Sequence, residues 1–335
     1  MADIIGNYSL TDEKKLASVD KKILSALSQG KLISGELIGN KVGTSRAYVW
    51  KRINSLKEQG LKVISIHGEG YRLPAGEELL DAQIIHDHLG HKATQLRVCW
   101  SLPSTNLAAM ELAEHAPQQE FVVLAEMQTQ GRGRRGKEWF SPLGADLYMS
   151  YKIPFSGGAK SLQGLSLVIG VAISNALKKL TAKEGLSLKW PNDIYFQGRK
   201  LGGILIEMCG DINGDCDAII GVGLNASYRA DESSSEEVAS LTELMPGTLN
   251  RNYWVAMLIN AIKNAVTDFK KNGLSEFLNQ WRSLDILVGN SINVFLGESV
   301  VTGIAEGVSP SGALLVQTGE GLKTFYAGEV SVRKQ

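Results

Sequence analysis

The chain has 335 residues, 44% of them hydrophobic, with 35 basic and 35 acidic side chains and no formal net charge. That length exceeds one small domain, so two or three are expected, and the neutral balance excludes nucleic-acid attraction by a global field. Cys99, Cys209 and Cys216 show neither metal-ligand spacing nor a disulfide framework, the start MADIIGNYSLTDEKK is no secretory signal, and no long apolar run suggests a membrane span. A reducing compartment, the cytoplasm, is the expected address.

Residues 1–17 are polar and read as weakly ordered. Ile23, Leu24 and Leu27 then share one helical face, and Gly30 stops that helix. Leu37, Ile38 and Val42 mark a second short helix. Gly43 sits where a tight turn requires positive φ, and Ser45 is an N-cap for a helix whose Val49, Ile53 and Leu56 form one face. This is a helix-turn-helix pattern from Gly35 to Asn54. Leu61–Ile66 alternates like a strand, Gly68-Glu69-Gly70 turns, and Tyr71-Arg72-Leu73 returns, so the hairpin is a candidate wing. Arg46, Lys51 and Arg52 suit phosphates or guanine edges. Tyr48 and Trp50 fit either base contact or packing on the wing. A single motif binds DNA weakly, so a dimer on a two-fold symmetric operator is expected.

Pro74-Ala75-Gly76-Glu77-Glu78 reads as a hinge. Beyond it strands and helices mix. Gln95–Trp100 is a strand, and Ser104 opens a helix through about His115. Ser104-Thr105-Asn106 is either a plain cap or a set of free N–H groups and polar side chains that suits an anion or ureido group. Phe121–Met127 is a second strand and Asp146–Ile153 a third, with Leu147, Met149 and Tyr151 alternating against Tyr148, Ser150 and Lys152. Leu162–Leu180 is an apolar helix, the expected spine. Leu188–Trp190 and Ile194-Tyr195-Phe196 flank the Pro191-Asn192-Asp193 turn, and further strands fall at 201–208 and 218–224. Many short strands with few crossover helices indicate an α+β fold with a largely antiparallel sheet. Helices at 252–269 and 274–284 precede a glycine-punctuated, strand-rich end that suits a small SH3-like barrel.

Between the second and third strands lies Gly131-Arg132-Gly133-Arg134-Arg135-Gly136-Lys137, followed by Glu138-Trp139-Phe140-Ser141-Pro142. Four cations and three glycines in seven residues oppose a packed helix or strand. The forked arginine donors suit carboxylate or phosphate, the glycines permit close approach, and the aromatic faces suit a nucleobase. A mobile loop that orders around an anion is the expectation; a solvated basic loop or a nucleic-acid patch fits the composition as well.

These segments occur together with Glu126-Met127-Gln128-Thr129-Gln130, Lys189-Trp190-Pro191-Asn192-Asp193 and Arg199-Lys200-Leu201-Gly202-Gly203-Ile204-Leu205-Ile206-Glu207. In that order they resemble the biotin–protein ligases, and the N-terminal segment resembles the bifunctional members that also repress the biotin operon. The resemblance spans about Val19 to Arg333. It implies a winged helix-turn-helix domain at 1–74, an α+β ligase domain related to class II synthetases at 75–284, and an SH3-like domain at 285–335. It also implies a two-step reaction: biotin and Mg·ATP give biotinyl-5′-AMP, and a lysine of biotin carboxyl carrier protein then takes the biotinyl group.

Residue roles follow from the same resemblance. Biotin falls to Ser104, Thr105, Asn106, Gln128, Gly131, Arg132, Gly133, Arg134, Lys189 and Gly203. The nucleotide falls to Arg132, Arg134, Arg135, Trp139, Lys189, Asn192 and Asn225. Lys189 and Arg134 are the expected catalytic pair, and Mg²⁺ is expected with ATP, its protein ligands unassigned. Where family members carry an acidic residue before Ser104, this chain has Pro103. DNA contacts fall to Ser45, Arg46, Tyr48, Lys51 and Arg52. A polar loop from Asn225 to Gly247 is expected to order over adenine, with Trp139 stacking on the base or packing in the core. Homodimerisation with adenylate as corepressor completes the picture. A lipoate- or octanoate-activating relative, and a non-catalytic ligand-sensing repressor, are the competing readings.

Overall fold

The computed structural model describes residues 9–334 apart from 14, 16, 28–30, 74–78, 91–93, 182, 227–237, 246–249 and 329. Gly30, the hinge at Pro74–Glu78 and most of the polar loop before Gly247 therefore lie outside the described residues. In chain order the helices and strands begin with α1 (Ser18–Leu27), α2 (Gly35–Val42), α3 (Arg46–Glu58), β1 (Ile64–Ile66), β2 (Gly70–Arg72) and α4 (Ala82–Leu89). Next come β3 (Gln95–Leu102), α5 (Thr105–Ala113), β4 (Phe121–Gln128), β5 (Leu147–Ser156), α6 (Gly158–Ser161) and α7 (Leu165–Thr181). Then follow β6 (Leu186–Lys189), β7 (Asp193–Phe196), β8 (Arg199–Gly210), β9 (Asp215–Leu224), α8 (Leu241–Leu244), α9 (Arg251–Asn272) and α10 (Ser275–Leu284). The last strands are β10 (Ser291–Leu296), β11 (Ser299–Val308), β12 (Leu314–Thr318), β13 (Gly321–Phe325) and β14 (Ser331–Lys334).

The chain forms two compact units. The first comprises Met1–Pro154, Ile219–Arg229 and Ser240–Met257. Its N-terminal part is the expected helix-turn-helix and wing. Ser34 Oγ accepts from the Leu37 N–H at 3.1 Å to open α2, and Gly43 closes it at φ 78°. Ser45 Oγ accepts from Tyr48 N–H at 3.2 Å to open α3. Ile23, Leu24, Leu27, Ile38, Val49, Ile53 and Leu56 bury almost completely, each worth about 1.5–3 kcal/mol. β1 and β2 pair antiparallel, Ile64 opposite Arg72. Leu143, from the segment after the glycine–arginine loop, is fully buried in this same core, and its N–H bonds Gln59 O at 3.2 Å.

Residues 9–13 depart from the expected weak order. Leu10 is buried, the Thr11 hydroxyl donates to Glu111 Oε1 at 2.7 Å, and Glu13 pairs with Arg97. In the rest of this unit β3 pairs parallel with β4, and β4 pairs antiparallel with β5, which neighbours β9. The expected two-faced alternation of β5 is absent, because Leu147 to Ile153 are buried throughout. Its one cation, Lys152, is fully buried; its Nζ donates to Ala116 O at 3.1 Å and lies 5.9 Å from the Phe121 ring centre. A buried ammonium needs such partners.

The second unit comprises Phe155–Ala218, Ala230–Ala239 and Leu258–Gln335. Here β6 pairs antiparallel with β7 and β7 with β8. Helix α7 is the expected spine, burying Leu165, Leu167, Val168, Ile169, Val171, Ile173 and Leu177. The stretch 158–181 is long and apolar enough to cross a membrane by length and composition alone, but more than half of it is buried inside the protein, as a core helix is. The five C-terminal strands form one antiparallel sheet in the order β13-β12-β11-β10-β14, as the SH3-like pattern requires.

Candidate active site and nucleic-acid interface

The start of α5 gathers the first cluster. Ser104 occupies the N-cap position in extended conformation, yet its side chain makes no cap bond. Gln128 takes over that duty: its Oε1 accepts from Thr105 N–H at 2.8 Å and from the Thr105 hydroxyl at 3.2 Å. The other end of the Gln128 amide donates to Ser141 Oγ at 2.8 Å, and Ser141 donates on to Trp139 O at 2.9 Å. Ser150, on β5, brings its hydroxyl within 2.8 Å of Thr105 Oγ1 and 2.5 Å of Asn106 Oδ1. Ser104, Thr105, Asn106 and Ser150 are all buried. A buried polar group is costly unless bonded, and Thr105, Asn106, Gln128 and Ser150 are bonded to one another, so the helix start has a fixed polar surface.

Two glycines of β9 make room for this surface. A Cβ on Gly221 would stand 2.3 Å from Asn106 Oδ1, and one on Gly223 would stand 2.6 Å from the Trp139 indole. The room these glycines leave is filled by the chain's own side chains. Trp139 is half-buried against Gly223, neither a core tryptophan nor a free one, and Phe140 beside it is 68% exposed.

The glycine–arginine loop is a defined turn. Trp139 N–H bonds Gly131 O at 2.8 Å and Gly133 N–H bonds Lys137 O at 2.7 Å, so the backbones of Arg132 and Glu138 face each other as a single antiparallel β-bridge. Arg134–Gly136 makes one 3-10 turn in which Arg135 takes φ 57°, unusual for a residue with a side chain. The need for a missing side chain falls on Gly131, whose Cβ would meet Trp139 O at 2.2 Å. At Gly133, expected to permit ligand approach, a Cβ would meet only Lys137 O at 3.3 Å. Arg132 and Arg135 are exposed, and Arg134 is half-buried.

A deeper network, not foreseen from sequence, fastens the segments around this cluster. Arg251 and Glu126, both buried, pair at 2.8 Å. Glu126 also accepts the Leu80 N–H, and Asn252 holds Leu79 and Asp81. Asp146, fully buried, accepts from Ala226 N–H at 2.9 Å and from the Tyr148 hydroxyl at 3.2 Å. Burial drives the Tyr148 hydroxyl well above its usual pKa, which keeps it a donor. Asn225, next to Ala226, accepts from Leu241 N–H at 2.9 Å. In sequence, a Glu inside the Glu126–Gln130 run and an Asp at the start of a strand are the only signals of this network, and Arg251 carries none.

The second unit carries Lys189, Asn192 and Gly203. Lys189 ends β6, half-buried, with Nζ 3.5 Å from Tyr195 OH and 5.6 Å from its ring centre. Asn192 Nδ2 donates to Ile204 O at 2.8 Å, which sets the turn, and Gly203 faces Asp193 across the β7–β8 pairing. Asp193 pairs with Lys200 at 2.9 Å, and Arg199 donates to Val238 O at 3.2 Å. The Arg199 and Lys200 side chains thus have protein partners.

On α3, Arg46 and Lys51 are exposed. Tyr48 and Trp50 are 43% and 58% exposed, so neither packs under the wing. Arg52 differs from its expected role. Its Nε and Nη2 make a two-pronged bond to Asp20, at 2.8 and 2.5 Å, and Asp20 is buried. The fork that would meet a phosphate is closed on a neighbouring helix.

Known proteins bear on these features. Residues 98–225 match the Biotin/lipoate A/B protein ligase family, 288–333 the Biotin protein ligase C terminal domain, and 20–72 an HTH domain. The Bifunctional ligase/repressor BirA of Salmonella typhimurium is 36% identical over 95% of this chain and 99% of its own length. The Escherichia coli protein of the same name is 36% identical over 94% of this chain and 98% of its own. A solved structure, the biotin protein ligase from Aquifex aeolicus in complex with biotin and ATP, is 30% identical with TM-score 0.62, covering 72% of this chain and 99% of that one. This chain belongs to the bifunctional biotin ligase/repressor family.

Proposed function

We propose that the chain activates biotin with Mg·ATP, holds the resulting biotinyl-5′-AMP, and delivers the biotinyl group to a lysine of the carboxyl carrier protein of acetyl-CoA carboxylase. The same adenylate serves as corepressor for operator binding by the N-terminal module. The observation that carries this reading is the bonded polar surface at Thr105, Asn106, Gln128 and Ser150, whose donors and acceptors at a helix start suit a ureido ring. The shared family supplies the rest.

A biotin carboxylate oxygen attacks the α-phosphorus of ATP, and pyrophosphate leaves with the electrons of the broken P–O bond. The carrier amine then attacks the acyl carbon; AMP leaves with the C–O bonding pair, and the amine proton passes to solvent. Both nucleophiles arrive with substrates, so no nucleophilic side chain is required. In this proposal Lys189 and Arg134 offset the charge that builds between carboxylate and α-phosphate. Ser104, Thr105, Asn106, Gln128, Gly131 and Gly203 hold biotin, while Arg132, Gly133 and Arg134 close over the acyl phosphate. Arg135, Trp139, Asn192 and Asn225 border the AMP. The mixed anhydride hydrolyses readily, so a covering loop serves to keep water out.

Mg²⁺ enters with ATP. Mg²⁺ that accompanies a nucleotide is held mainly by phosphate oxygens and waters. The proposal further includes a cytoplasmic setting, adenylate-dependent homodimerisation on a two-fold operator, and competition by the carrier for the monomer. Incubating the protein with biotin, Mg·ATP and a carrier domain tests the reading by mass spectrometry: one biotinyl addition per carrier supports it, and an unmodified carrier refutes it.

A further inference from the structure

We infer that Trp50 is a specificity-determining residue of the DNA-binding module and that it reads thymine in the major groove. The inference rests on the DNA-binding reading of residues 20–72. Helix α3 buries Val49, Ile53 and Leu56, and Trp50 points away from that face, 58% exposed. It is the fifth residue of the helix, within the N-terminal portion that meets base edges when such a helix enters the groove. Arg46 stands one turn before it, at the i, i+4 spacing that places side chains together, and exposed Lys51 adjoins it. Together they form an aromatic plate bordered by cations, complementary to a polyanion. Arg52, which sequence alone offered as a third reader, is held by Asp20. The exposed helix start therefore presents Trp50, the more exposed of its two aromatic side chains, between Arg46 and Lys51, which suit phosphate or guanine contact.

The chemistry of that group selects the base. Indole offers an apolar face and a single N–H donor, with no acceptor. Thymine shows the major groove a methyl group and the O4 acceptor, whereas cytosine shows an amino donor and no methyl. Indole matches thymine twice and cytosine not at all.

The test uses the full chain with biotin and Mg·ATP to enrich duplexes from a random library. Each thymine of the enriched half-site is then replaced by deoxyuridine, which loses only the methyl, or by 5-methylcytosine paired with guanine, which keeps the methyl but loses O4. At one thymine per half-site, deoxyuridine should weaken binding about fivefold and 5-methylcytosine about tenfold or more. Both effects should vanish in Trp50→Ala, with the salt dependence of binding unchanged. Trp50→Phe should retain the response to deoxyuridine and lose most of the response to 5-methylcytosine. A Trp50→Ala chain that enriches the same motif with the same thymine preferences overturns the inference alone. A parent chain that enriches no sequence overturns the DNA-binding reading itself.

Discussion

The polar surface at the start of α5 and the glycine–arginine loop lie in one compact unit but are built in opposite ways. In the first, side chains bond side chains: Gln128 to Thr105 and Ser141, Ser150 to Thr105 and Asn106, with little exposure to water. In the second, backbone bonds backbone, while Arg132 and Arg135 extend outward. The first is a pre-formed surface whose geometry costs little to reach at binding. The second is a frame that aims cations and leaves their side chains room to adjust. A uniform ureido ring suits the former, and an intermediate that must be made, kept and released suits the latter.

Four substitutions break or sharpen that contrast. Gly221→Val drives a side chain into Asn106, since even its Cβ would lie 2.3 Å from Oδ1. Biotin affinity by calorimetry should fall at least about 100-fold, the cost expected when a close-packed polar site must shift. In the proposed role of Arg134, Arg134→Gly removes a charge-assisted contact to the adenylate worth about 1.5–3 kcal/mol. Adenylate should then leave one to two orders of magnitude faster, read by release of the bound intermediate and by indiscriminate labelling of nearby lysines. Gln128→Leu leaves the buried Thr105 N–H without its 2.8 Å acceptor, a loss of about 1–3 kcal/mol. The Michaelis constant for biotin should rise roughly tenfold while that for ATP stays within about twofold. Arg135→Gly should have the smallest effect. It relieves a side chain at φ 57°, so the melting temperature should hold or rise slightly, with only a few-fold faster adenylate loss.

The two regions also differ in how legible they were. The loop announced itself, because seven consecutive residues carry its charge and its freedom. The polar surface is assembled from four separated segments, and only Ser104-Thr105-Asn106 and Gln128 stood out in sequence. Ser150 sits in a strand read as alternating, and its partners, Thr105 and Asn106, lie on α5, more than forty positions earlier. The helix-turn-helix was readable almost to the residue, since a serine cap, a left-handed glycine and a 3.6-residue apolar period are local signals. What sequence could not show there was allegiance. Arg52 looks like its neighbours Arg46 and Lys51 until Asp20, 32 positions earlier, is seen to hold it. The glycines misled in the same direction. A Cβ on Gly133, expected to permit ligand approach, would meet nothing nearer than 3.3 Å, whereas Gly221 and Gly223 are needed to admit Asn106 and Trp139. Buried pairs such as Glu126–Arg251 depend on residues far apart in the chain, which no periodicity predicts.

The most direct test measures biotin-dependent exchange of pyrophosphate into ATP, comparing the parent chain with a folded Gly221→Val variant across biotin and ATP concentrations. The account predicts robust exchange in the parent and, in the variant, a large rise in the biotin requirement with the ATP requirement nearly unchanged. A variant that melts like the parent and needs no more biotin would contradict it.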